Sequence, residues 1–227
     1  MAILASSILD NAAKQLQDDT KVTWPAAELL EWLNMGRRQI AIAKPDVFVN
    51  NESVQLVAGT KQTIPAAANI FVKLPRNMGT NGTTPGRAIL PIPLNVLDEQ
   101  SPNWHSAPAS ATALHYGFDE RDPRHFYIYP PQPATAQGYA EIVYSVTPAP
   151  IGLNDPIGLP DLYDGALFNF VMAMAYAKDS EYTRNDAKSD SYMKMAGGLV
   201  AGMSIGEAKN DAGNSTIGNQ RANKKAA

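Results

Sequence analysis

The spacing of hydrophobic residues changes period twice along the chain, running near 3.6 at both ends and near 2 in the middle. The clearest helical stretch is Thr23 to Asp46, TWPAAELLEWLNMGRRQIAIAKPD. Leu29, Leu33 and Ile40 fall on one face, with Leu30 and Ala41 beside them. Pro25 suits a first turn, where its missing amide has no helical partner, and Pro45 stops the helix. Trp24 is expected to pack back on the entering chain and Trp32 to lie at the edge of the apolar stripe. Ahead of it, residues 2–18 repeat Leu4, Ile8, Ala12 and Leu16 every four positions and predict a first helix. Two such helices joined by a short link pack antiparallel.

After Pro45 the pattern alternates. Val54 with Leu56, then Ile70, Val72 and Leu74, then Ile142, Tyr144 and Val146 each predict one strand face. Leu114, Tyr116 and Phe118, followed by Phe126 and Ile128, flank turn residues 119–123 and predict a hairpin over 113–130. The loop Asn77 to Gly86, NMGTNGTTPG, is too polar for a core, and Leu94 to Glu99 predicts one short helix. Helical spacing returns after Pro160, with Leu162, Ala166, Phe170 and Ala175 on a broad apolar face reaching Tyr182. Residues 186–209 form a weaker helical pattern, because each of Gly197, Gly198, Gly202 and Gly206 costs about 1 kcal/mol relative to Ala.

Gly198, Gly202 and Gly206 make a stripe against which another backbone could pack closely, and are candidate partner-contact residues. The competing expectation, a frayed or broken helix, is the better supported by propensity. From Asn210 the chain is polar and predicted to be flexible, and its last charges, Arg221, Lys224 and Lys225, are positive and also candidate contacts. The predicted fold class is α+β but mainly helical. It is an antiparallel bundle from 1–45 and 155–209, with a β-rich insertion at 46–154 and a flexible tail at 210–227.

Composition narrows the function classes. At 44% hydrophobic and 18% charged, a chain of 227 residues can bury a sizeable core. It has no cysteine, hence no disulfide or thiolate metal site, and a formal net charge of -3 predicts no overall attraction to nucleic acid. No signal peptide or membrane span is predicted, and assembly in a cytoplasm is expected.

Candidate chemistry is sparse. His105, His115 and His125 have no metal-ligand spacing, and Asp119, Glu120 and Asp122 read as solvated turn residues rather than an acid/base pair. Neither a GxSxG elbow nor a phosphate-binding glycine motif occurs. Arg37 and Arg38 are expected to be a solvated edge or a salt-bridge partner rather than a DNA contact. Tyr127, Tyr129, Tyr139 and Tyr144 could stack on sugars or bases, although cross-strand packing is the commoner role. No enzyme activity, metal or cofactor is expected.

The stretch from Thr23 to Asp46 resembles the "WP…ELL.WLN.G.R.I….PD" signature of tailed-phage head–tail adaptor, or connector, proteins. DPRHFYIYPP (122–131), IVYSVTPAP (142–150) and LPDLYDGALFNFVMAMAYAKDSE (159–181) are similar to the same family in the same order. The resemblance implies a structural virion protein, a typically dodecameric homo-oligomeric ring that joins the portal protein to the tail or tail-tube protein. Genomic DNA would pass through the ring without sequence-specific binding. It also implies no catalysis, no cofactor and no membrane partner. Alternatives are a tail-tube or stopper subunit, or a carbohydrate-binding or hydrolytic virion protein using the tyrosine-rich sheet.

Overall fold

The computed structural model describes residues 3–119, 121–178 and 183–210. In chain order its helices are α1 (Ala5–Gln15), α2 (Ala26–Ala43), α3 (Leu94–Gln100), α4 (Asp164–Lys178) and α5 (Thr183–Asn210). Its strands are β1 (Val49–Gln55), β2 (Gly59–Thr63), β3 (Ala68–Asn77), β4 (Leu90–Pro91), β5 (His115–Gly117), β6 (His125–Gln132) and β7 (Tyr139–Val146). The chain divides into two compact units, one made of Met1–Lys44 with Ala149–Ala227 and the other of Pro45–Pro148.

In the first unit α4 is the central helix. It packs on α1, α2 and α5, and buries Ala166, Leu167, Val171, Met172, Ala173 and Ala175. A helix apolar on nearly all sides is one that neighbours surround. Against it α1 buries Ile8 and Leu9, and α2 buries Leu29, Leu33 and Ile40. Trp32 is buried too. Leu162, expected on the α4 face, is 58% exposed because residues Asp161–Tyr163 form a 3-10 turn before the helix and put Tyr163 inside instead.

The link from α1 to α2 is organised by Asp18. Its carboxylate accepts from the amides of Val22, Thr23 and Trp24 at 2.9–3.0 Å. These amides, the Trp24 amide foremost, hold the Asp18 carboxyl below its ordinary value. α5 is unbroken despite its glycines. It pairs with α4 along its first half, where Ser189 donates to the Ala173 carbonyl and Tyr176 stacks on Tyr192. The helix then runs on through Gly197, Gly198, Gly202 and Gly206.

The second unit overturns the expectation of a mainly helical bundle with a β-rich extension. The chain is 41% helical and 24% strand, and the strands form two sheets rather than one. The three-stranded sheet has the order β1-β7-β3 and is antiparallel. The four-stranded sheet has the order β2-β6-β5-β4, with β4 and β5 parallel. One core is built from both. Phe71 of β3 stacks on Phe126 of β6 at 4.8 Å and meets Tyr116 of β5 edge-on at 5.6 Å, among Leu74, Ile128, Ile142 and Tyr144.

Sequence alternation misassigned β3. Ala68, Phe71, Leu74 and Asn77 are its buried residues, while Ile70 is 41% exposed. Register shifts against β7 at three places convert a period of 2 into one near 3. Asn77 is buried but satisfied, donating to the Arg87 and Ala113 carbonyls and accepting from the Ala113 amide.

Candidate functional site

The first unit is closed by a strap, residues 149–157, that is stitched to the starts and sides of two helices. The amides of Ala5 and Ser6, without partners inside α1, donate to the Asp155 and Leu153 carbonyls at 3.0 and 2.9 Å. On α2, Asn34 donates to the Ile151 carbonyl and accepts from the Ile151 amide, at 3.1 and 2.9 Å. One turn further, Arg37 donates through Nε to the Ile157 carbonyl at 2.8 Å and through Nη1 to the Ala149 carbonyl at 2.7 Å. Arg37 is only 5% exposed, so the solvated edge expected of it is incorrect. Burial, with Arg38 beside it, pulls its pKa down from the ordinary arginine value, and it remains a cation. Sequence pattern missed this role because a long polar side chain on an amphipathic helix ordinarily reaches water.

Gly36, between these two, lets α2 approach α4 closely. A Cβ there would stand 3.0 Å from Phe170 and 3.2 Å from Leu167. Beside this approach opens a groove of about 610 Å³ with α4 as its floor, Gln39, Ile40 and Ala43 of α2 on one wall, and Met193, Gly197 and Val200 of α5 on the other. Its lining is chiefly apolar. Met193 is 41% exposed at its rim.

The sequence candidates fall differently. Gly198 and Gly202 lie on α5, and a Cβ at either would meet nothing within 4 Å, so both are open. Gly206 belongs to the last turns of α5. Arg221, Lys224 and Lys225 lie outside the described residues.

The histidines are not gathered into one site. His105 stacks on Trp104 and bonds Thr60, His115 stacks on Tyr129, and His125 bonds Asp122 at 2.7 Å. That bond is the main cause that lowers the Asp122 pKa. Among the described residues no group of three or more His, Asp or Glu is arranged to hold a metal. The four tyrosines divide between two sheets, with Tyr127 and Tyr129 on β6 and Tyr139 and Tyr144 on β7. Tyr144 is buried, its hydroxyl donating to Glu52 and accepting from Asn50. They make no common stacking platform. No described helix is long and apolar enough to cross a membrane.

The helical unit thus presents a groove with a chiefly apolar lining, suited to packing, and no reactive group among the described residues lines it. No curated protein matches the chain. The family model described as SU10 adaptor protein matches residues 4–219, which takes in α1, α2, the whole β unit, α4 and α5. The chain belongs to the SU10 adaptor protein family, a family of phage head–tail adaptors.

Proposed function

We propose that the protein assembles as a ring, of about twelve copies as the resemblance implies, that joins the portal vertex of the capsid to the tail and continues the DNA channel. The open apolar groove between α2 and α5 is the observation that carries this reading. An open apolar groove of this kind suits association with another subunit. The formal charge of -3 suits a channel wall that lets DNA slide without gripping phosphate. In this reading Gly198, Gly202 and Gly206 contact a neighbouring subunit. The chain after Asn210, with Arg221, Lys224 and Lys225, docks on the portal or an adjacent copy. The role requires no catalysis and no cofactor.

Negative-stain microscopy of the protein mixed with the portal of the same particle tests the reading. A ring seated on the portal is the expected image. Portals that stay bare at saturating protein would refute it.

A further inference from the structure

We infer that Asn81 is a site of spontaneous deamidation, where the backbone nitrogen of Gly82 attacks the neighbouring side chain and leaves an aspartyl or isoaspartyl linkage. Asn81-Gly82 is the one Asn-Gly pair in the sequence. It lies in the loop that follows β3, with Asn81 exposed and Gly82 half-buried. This chemistry does not depend on the ring reading above.

The loop is tied at its ends and untied in its middle. The Met78 amide donates to the Tyr139 carbonyl at 2.7 Å, the Tyr139 amide to the Gly79 carbonyl at 2.9 Å, and the Gly86 amide to the Asn77 carbonyl at 2.8 Å. Between these ties the Gly82 amide, the attacking group, donates to no acceptor among the described residues. Asn81 Oδ1 accepts from the Thr83 amide at 3.1 Å and from the Thr84 hydroxyl at 3.4 Å. Attack at Cγ drives negative charge onto that oxygen, where these two donors already point. Asn81 Nδ2, the departing group, has no partner among the described residues.

The reaction consumes only water. The Gly82 nitrogen gives up its proton and bonds to Asn81 Cγ, the Cγ–Nδ2 bond breaks, and Nδ2 leaves as ammonia with one proton gained. Water then opens the cyclic imide. Opening at the side-chain carbonyl gives an aspartyl residue, and opening at the backbone carbonyl gives an isoaspartyl one. Either product adds one negative charge to a chain whose formal net charge is -3.

A side chain at position 82 would hinder the attack, but the fold does not admit one. Gly82 has a φ of +76°, in the left-handed region, and a Cβ there would stand 2.8 Å from the Tyr139 ring and 3.2 Å from Ser53 Oγ. The glycine that lets this turn form is therefore the residue that leaves Asn81 open to attack. The isoaspartyl product lengthens the backbone by one carbon beside this contact, so Gly82 or the Tyr139 ring must shift.

The test incubates the purified full chain in warm, mildly alkaline buffer and maps its peptides by mass spectrometry over time. Position 81 is expected to show the amide-to-acid mass gain at least tenfold faster than any other asparagine, with isoaspartate exceeding aspartate and the rate rising with pH. Asn81→Gln should fold normally and show no conversion at that position. Gly82→Ala should convert at least tenfold more slowly and melt below wild type. Conversion at position 81 no faster than at the other asparagines would overturn the inference. An intact position 81 in the folded chain, when the same chain converts in urea, would also overturn it, because the fold would then protect the pair. Gly82→Ala melting like wild type would remove the requirement for glycine.

Discussion

Asn34 and Ile151, 117 positions apart, are joined by a reciprocal pair of hydrogen bonds in which the side-chain amide matches both backbone groups of the strap. This is the geometry of two strands in a sheet, performed by one side chain on a helix. It fixes where the chain re-enters the helical unit, and Arg37 fixes the two ends of the same strap.

Replacing Asn34 with Leu removes both bonds and strands a partly buried amide and carbonyl. Each unsatisfied group costs about 1–3 kcal/mol, so the variant should lose stability on the order of 2–4 kcal/mol. Urea unfolding followed by far-ultraviolet circular dichroism measures this. An unchanged midpoint would contradict a stabilising role for the clasp.

Arg37→Met should cost on the order of 3 kcal/mol, because two strap carbonyls lose charged donors in a buried setting. Arg37→Lys should recover less than half of that loss. A single ammonium cannot reach the Ile157 and Ala149 carbonyls with the fixed fork of a guanidinium. Equal stability of the Lys and wild-type proteins in the same unfolding experiment would show that charge alone suffices.

Gly36→Leu should destabilise the helical unit by about 1–3 kcal/mol, since the added side chain meets Phe170 and Leu167. The helix-propensity gain of about 1 kcal/mol partly offsets this. Thermal melting reads the sum. A rise in the melting temperature would mean that Phe170 swings aside freely.

Asp18 gives a pH signature. Its pKa in the folded state is lowered, chiefly by the Trp24 amide, so its contribution is fully present above the unfolded value of about 4 and fades as pH falls through the folded value. Asp18→Asn should melt lower than wild type at pH 7. The gap should narrow below about pH 4, where the wild-type carboxylate gains its proton. A gap that stays constant from pH 7 to pH 3 would contradict the assignment.

Much of the helical unit could be read directly from the sequence. Leu29, Leu33 and Ile40 lie on the buried side of α2 because helical period and burial agree there. Elsewhere two rules competed. In β3 the bulges displaced Ile70 outward and Phe71 inward, which no period-2 pattern anticipates. In α5 the helix continues through four glycines whose local preference argues for a break. The strength of the β unit was underestimated because its core joins short strands far apart in sequence, such as Phe71 with Phe126. Gly198 and Gly202, singled out by their spacing, lie on α5 but not in the lining of the groove. The groove itself depends on how α2 and α5 flank α4 and has no local signal.

The most direct test of the account is the mass of the purified protein, alone and mixed with the portal of its own particle, by light scattering after size exclusion. A ring-sized species, formed alone or on the portal, is the predicted result. A protein that remains monomeric and ignores the portal would contradict the adaptor ring.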